Sequence, residues 1–295
     1  LTRFKAELIL FCVAGVWGGT FVIVKLTLED LPPFYFLGLR FCLASILFFI
    51  IFFRRFQFGG YKEVRAGLIL GILLFAGFAF QTEGLLYTTA SNSALITGVN
   101  ILIVPFAQYF IIKKAPGIDN WIGIMIVTLG IFLLTGPFEN GVSMGDLLTL
   151  FCAVSWAFYI IYLDIFTRKF NLYMLVIIQL LFSGITAIII AFIFEKIVLL
   201  NFTIGAVLGL LYTAVPATLI ATYLGNRYQK YTTPVRAALL FSFEQPSAVI
   251  IAIIFLKDSF TAVQLTGGVL MITGILFSET FEYIKSAYFS SRQKI

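Results

Sequence analysis

Ten long apolar runs alternate with short polar connections along this chain. At about 1.5 Å per residue, a helix needs roughly 20 residues to cross the hydrocarbon of a bilayer. The runs cover 6–25, 33–53, 66–88, 92–112, 120–137, 145–164, 172–194, 203–225, 233–256 and 261–281, each close to that length. The second five repeat landmarks of the first five. A shift of 139 carries Glu7 onto Asp146, Ala14 onto Ala153 and Trp17 onto Trp156. At 138, Gly67 and Gly71 meet Gly205 and Gly209; at 141, Gly84, Tyr87 and Pro105 meet Gly225, Tyr228 and Pro246. At 144, Gly123 and Gly130 meet Gly267 and Gly274. An offset that drifts only as loops change length marks a duplicated half. Five is odd, so the copies must cross in opposite directions, which is the inverted-repeat plan of secondary transporters. The pattern predicts an all-α membrane protein of ten transmembrane helices, arranged as two inverted five-helix repeats.

Composition agrees. The chain is 61% hydrophobic and 12% charged, about half the charged share of a soluble domain. Its net charge of +6 forms no basic patch, so no nucleic-acid partner is expected. The cations report orientation instead. Arg3, Lys5, Arg54, Arg55, Lys62, Arg65, Lys113, Lys114, Arg168, Lys169, Arg227, Lys230, Lys285, Arg292 and Lys294 fall on one side, and Arg236 lies just inside a span there. Only Lys25, Lys196 and Lys257 fall on the other. By the positive-inside rule both termini are cytoplasmic. The first span has no small-residue cleavage site after it and reads as a retained helix.

Cys12, Cys42 and Cys152 lie inside spans and read as small packing residues rather than a disulfide framework. Histidine is absent, which removes His-based metal sites, triads and imidazole switches. No phosphate loop or nucleophile elbow appears, which argues against an ATP-driven pump and against hydrolysis. No cofactor or metal is expected, and the protein is not expected to be an enzyme. Gly15/Gly19, Gly67/Gly71 and Gly205/Gly209 are small pairs suited to close helix contact in lipid. Pro105 and Pro246 predict matched kinks, because proline removes an intrahelical hydrogen bond. The polar run from Thr88 to Ser93 predicts a tight external hairpin.

Ionisable groups inside a bilayer are costly and invite a functional hypothesis. Glu7 lies close enough to the interface to be solvated. Glu244 lies about 16 Å from Thr233, near the midplane, beside Gln245 and just before Pro246. It reads either as a contact for a substrate amine or a protonatable site, or as a neutral Glu bridging two helices. Arg40 and Glu83 lie at matching depths from the external ends of consecutive helices, so an Arg40–Glu83 ion pair is predicted, either a static brace or an external gate. Asn100 near mid-depth is interhelical glue or a substrate hydrogen bond. Gln81 and Gln108 lie nearer the helix ends and are weaker candidates. Trp17 and Trp156 are too deep for interfacial belts, leaving packing or cavity lining; Tyr159, Tyr212 and Tyr223 could line the same cavity. At the offset of 141, Asn100 aligns with Phe241 and Glu244 with Ile103, so an asymmetric substrate site is expected.

Val16-Trp17-Gly18-Gly19-Thr20-Phe21, then Lys25, Pro33, Leu39-Arg40-Phe41 and Ala44, together with Gly84 to Ser91, Pro105, Phe243-Glu244-Gln245-Pro246, Asp258, Gln264, Gly267 and Gly274, resemble the EamA family of the drug/metabolite transporter superfamily. The resemblance covers nearly the whole chain, with repeats over 4–137 and 145–281 and a cytoplasmic tail over 282–295. It departs at Lys113-Lys114, where that family often has an acid, and at the extra Gln245. It implies a ten-helix metabolite exporter or facilitator in the bacterial cytoplasmic membrane, with a small-molecule partner and surrounding lipid; monomer and homodimer both stay open. An amino-acid-like substrate moved by alternating access is the leading reading. A nucleotide-sugar or sugar-phosphate exchanger would need several cationic groups in the cavity, where only Arg40 is available. An intramembrane enzyme would need a catalytic cluster, and a non-transporting scaffold would lack the inverted duplication.

Overall fold

The structure, a computed structural model, describes residues 3–135, 142–195, 201–256 and 261–292. All regular elements among them are helical. In chain order they are α1 (Arg3–Thr27), α2 (Pro33–Phe52), a 3-10 turn Phe53–Arg55, α3 (Tyr61–Gly84), α4 (Ala90–Thr97), α5 (Asn100–Ile112), α6 (Ile118–Thr135), α7 (Met144–Thr167), α8 (Leu172–Phe194), α9 (Ile204–Ala214), a π-helical stretch Val215–Ile220, α10 (Ala221–Tyr228), a 3-10 turn Gln229–Tyr231, α11 (Pro234–Phe241), α12 (Glu244–Leu256) and α13 (Ala262–Arg292). Among the described residues, seven helical stretches are long and apolar enough to cross a membrane: α1, α2, α3, α4 with α5, α7, α8, and α9 through α10. Shorter apolar helices cover Ile118–Leu134 and Ala262–Ser278. Outward-facing residues such as Phe132 (75% exposed) and Phe194 (77%) would be untenable in water over so many helices. The chain is a multi-pass helical membrane protein.

Local chemistry sets the helix ends. Thr89, Ser143, Asn171, Thr203 and Thr233 cap α4, α7, α8, α9 and α11 through side-chain oxygens. Ser143 and Asp146 form a reciprocal capping box. Pro33 and Pro234 open α2 and α11, where a missing N–H costs nothing. Several expected bounds shift. The third span runs over Tyr61–Gly84 rather than 66–88, because Glu63 accepts from the Gly59 and Asn171 N–H groups and anchors the first turn. The polar run near Thr88 is part turn and part α4, with Asn92 N–H donating to Thr89 Oγ1 at 3.0 Å. The last helix continues past 281 to Arg292. Lys196, Lys257, Asp258 and Lys294 lie outside the described residues.

The principal packings join the first part of the chain to the second. α2 lies on α8, α3 on α7 and α8, α1 on α9 and α12, α5 on α7, and α6 on α13. A Cβ on Gly67 would fall 2.8 Å from Ile178 Cβ, so the expected Gly67/Gly71 contact seats α3 on α8. Gly15 and Gly205 have no such close neighbour. Polar clasps close both ends of the bundle. At the amino-terminal end Glu7 holds Arg3 and accepts from Thr232, while Arg168 bridges Asp164 and the Thr232 carbonyl. A buried ion pair, Arg236–Asp119 at 2.9 Å, ties α11 to α6. At the opposite end Lys25 donates to the Leu85 and Thr88 carbonyls, Thr88 to Asp146, and Glu195 accepts from the Phe34 and Tyr35 N–H groups.

Candidate functional site

Two helices break near the middle of the bundle. α4 ends at Thr97 and α5 begins at Asn100; α11 ends at Phe241 and α12 begins at Glu244. Between the first pair, Ile101 and Leu102 N–H groups bond to Gly98 and Val99, three residues back rather than four. In the second, Pro246 has no N–H to return to the Ser242 carbonyl. Thr97 and Ser242 hydroxyls turn back to the Ser93 and Ala238 carbonyls, which also bends helices. Asn100 and Glu244 are therefore each the first residue after a break, although a fixed offset of 141 does not align them.

Thr97, Asn100, Phe241 and Glu244 from these breaks line one cavity, together with faces of α1, α3, α7 and α10. It encloses about 630 Å³ of space free of protein atoms, counted out through its mouth into open solvent. Its walls are aromatic. Trp17 meets Trp156 at 5.9 Å and Phe241 at 5.2 Å between ring centroids, and Trp156 meets Phe78 at 5.2 Å and Tyr159 at 5.4 Å. Trp17 is fixed by donating to the Ala217 carbonyl inside the π-helical stretch, at 2.8 Å.

Among the described residues that line the cavity, Glu244 is the one carboxylate and none is Lys or Arg. It sits deep among the helices yet keeps accessible surface where it borders the cavity. Its carboxyl group has no hydrogen bond or ion pair to any described residue. A carboxylate so placed calls for a cation or a proton, since an uncompensated buried charge costs several kcal/mol. Negative charge at the first residue of α12 is also favoured by the helix dipole. Asn100 likewise borders the cavity without a side-chain partner among the described residues.

Further in, Tyr159 Oη lies 2.8 Å from Gln179 Oε1 and 3.0 Å from Asn226 Oδ1. One phenolic proton serves only one of these oxygens, so the second bond requires the other amide to present its NH₂ group. Gln229 donates to the Ile160 carbonyl at 2.6 Å and leaves Oε1 without a partner. At the other end Gln81 faces Thr97 at 3.4 Å.

The cavity thus gathers Trp17, Asn100, Trp156, Tyr159 and Glu244, and leaves out Tyr212, Gln245, Arg40 and Glu83. Tyr212 donates to the Val16 carbonyl at 2.8 Å. Gln245 is buried against Gly98, where the two breaks touch. Tyr223 stacks on Tyr173 at 6.1 Å and accepts from Arg227. Gln108 links the Lys114 carbonyl to the Val235 N–H. The predicted Arg40–Glu83 pair does not form. Arg40 donates to Thr218 at 2.7 Å and lies over the Phe78 ring, and Glu83 makes no ion pair among the described residues. The reason is packing: α2 faces α8 and the π-helical stretch, so consecutive order does not put Arg40 opposite Glu83. Sequence reasoning missed Asn226 and Gln229 because Arg227 and Lys230 made their segment look like a loop. Among the described residues no group of three or more acidic or Cys side chains could hold a metal ion.

Comparison with known proteins adds identity to this geometry. The EamA-like transporter family matches the chain twice, over residues 4–136 and 143–280. An uncharacterized transporter of Archaeoglobus fulgidus is 33% identical over 278 residues, covering 93% of this chain and 85% of the relative. A probable amino-acid metabolite efflux pump of Escherichia coli strain K12 is 28% identical over 302 residues, covering 92% and 93%. A solved crystal structure shares the fold with a TM-score of 0.79 at 17% identity, covering 95% of this chain and 99% of that one.

Proposed function

Because the chain belongs to the EamA-like transporter family, we propose that it is a secondary transporter moving a small amino-acid-like metabolite by alternating access around the central cavity. The observation that carries this reading is Glu244, partnerless at a helix break inside an aromatic-walled cavity. A substrate ammonium would meet the Glu244 carboxylate; Asn100 and Gln81, which also line the cavity, would take up polar groups. The aromatic rings offer cation–π and apolar contact. The polar clusters at the two ends of the cavity, Gln81–Thr97 and Tyr159–Gln179–Asn226, are the contacts that would open in turn.

The scaffold supports an inverted duplication of ten spans, with α11–α12, α6 and α13 completing the seven long ones. Number the spans in order and exchange each with the one five places on. The pairing of span 2 with 7 and of 5 with 10 maps onto itself; 3 with 6 maps onto 8 with 1, and 4 with 6 onto 9 with 1. That closure, with the double family match, favours two copies packed across a pseudo-twofold axis. The distribution of Lys and Arg favours cytoplasmic termini in the cytoplasmic membrane of a bacterium. The nucleotide-sugar alternative is disfavoured by a lining without Lys or Arg.

Purified protein in liposomes tests the reading directly. Given the aromatic walls, counterflow of radiolabelled phenylalanine is expected, alongside a panel of amino acids and nucleobases. Absence of flux for every amino acid in the panel would refute it. Flux indifferent to an imposed pH gradient would assign Glu244 to the substrate alone and eliminate obligatory proton coupling.

A further inference from the structure

We propose that Arg40 is the receiving group for the substrate's carboxylate, held one side chain behind the cavity wall and uncovered during the transport cycle; this rests on the amino-acid reading above. Arg40 is 1% exposed and has no carboxylate partner among the described residues. Its Nε donates to Thr218, but its Nη2 is buried without any acceptor. A guanidinium presents five donors arranged for bidentate recognition of a carboxylate. Leaving it unpaired at this depth is costly unless something compensates it for part of the cycle.

Its surroundings connect it to the cavity from two sides. The Phe78 ring, 4.3 Å from the guanidinium carbon, also packs against Trp156, and both rings line the cavity. Thr218 adjoins Ala217, whose carbonyl accepts from Trp17, another wall residue. Arg40 and Trp17 therefore hold consecutive residues of the same π-helical stretch. Such stretches carry an extra residue in the helical ladder and concentrate at functional sites. A one-residue shift of the stretch, or rotation of Phe78, would carry the guanidinium to the cavity wall. Glu244 and Arg40 would then supply opposite charges for the two ends of a zwitterion.

The test compares phenylalanine with phenethylamine, which keeps the ring and ammonium but lacks the carboxylate. Binding to purified protein is followed by titration calorimetry, and flux by counterflow in liposomes. In Arg40→Gln the phenylalanine affinity should fall at least tenfold while phenethylamine affinity stays within twofold, and Arg40→Lys should restore part of the loss. Equal losses for both ligands would make Arg40 a structural brace and overturn the assignment. Unchanged binding of both would overturn it too. Should neither variant fold, Thr218→Val keeps the charge and removes its tether; the ratio of phenylalanine to phenethylamine affinity should rise at least threefold, and an unchanged ratio would overturn the assignment. If the unaltered protein takes neither ligand nor any other amino acid, the amino-acid reading itself falls, and Arg40's role with it.

Discussion

Gly18 controls how closely α1 approaches the helix that carries Glu244. A Cβ built there would stand 2.5 Å from Ser247 Cβ, 2.7 Å from the Glu244 carbonyl oxygen and 2.9 Å from Ala248 N. All three atoms belong to α12 and two are backbone, so no side-chain rotation relieves the clash. Reaching an ordinary contact of 3.4 Å requires the helices to part by about 0.9 Å. Overpacking of that kind costs roughly 1–3 kcal/mol, and in lipid no hydrophobic term between helices offsets it. Gly18→Ala should therefore lower the thermal unfolding midpoint of the detergent-solubilised protein. By displacing Glu244 it should also weaken phenylalanine binding about tenfold, or about 1.4 kcal/mol. Gly15→Ala is the control, because its Cβ would meet only Phe243 at 3.6 Å. A Gly18→Ala protein with unaltered midpoint and affinity would refute the reasoning.

Three further outcomes follow from the same contacts. Asp119→Ala strips the carboxylate from a buried ion pair and should destabilise by roughly 3 kcal/mol, with Asp119→Ala/Arg236→Met recovering part of the midpoint; a double variant no better than the single one would contradict this. Tyr159→Phe leaves the Gln179 and Asn226 amides short of a partner, so the midpoint should fall by an amount equivalent to about 1–3 kcal/mol, and no change would show that the hydroxyl bonds carry no weight. A single cysteine at position 59, in a protein lacking Cys12, Cys42 and Cys152, should react with a membrane-impermeant maleimide only after cells are opened. Labelling of intact cells would reverse the proposed orientation.

Much of this molecule is legible in the sequence because lipid imposes a simple rule. Backbone polar groups must be satisfied within each span, so apolar runs of span length become helices, and the family resemblance read from Trp17 through Gly274 is borne out by the family match. Depth is legible too, since residue counts translate into distance along a helix. Azimuth is not. Counting places Arg40 and Glu83 at similar depths, but the direction each side chain takes depends on which helices pack together, and α2 packs on α8 rather than chiefly on α3. The same limitation explains why Tyr212 and Gln245 fall outside the cavity that Trp17, Trp156 and Glu244 line. Pro105 and Pro246 predict helix kinks, yet in the first case the break lies at Gly98–Val99, outside the turn that Pro105 itself perturbs. Asn226 and Gln229 were hidden by neighbouring charges that the helix end accommodates.

Glu244→Gln tests the central claim most directly. The substitution preserves shape and removes the charge that would pair with a substrate ammonium. Charge-assisted hydrogen bonds are worth about 1.5–3 kcal/mol, so phenylalanine affinity and counterflow in liposomes should fall roughly ten- to hundredfold, with an unfolding midpoint no lower than that of the unaltered protein. Full flux and affinity in the Gln variant would contradict the account.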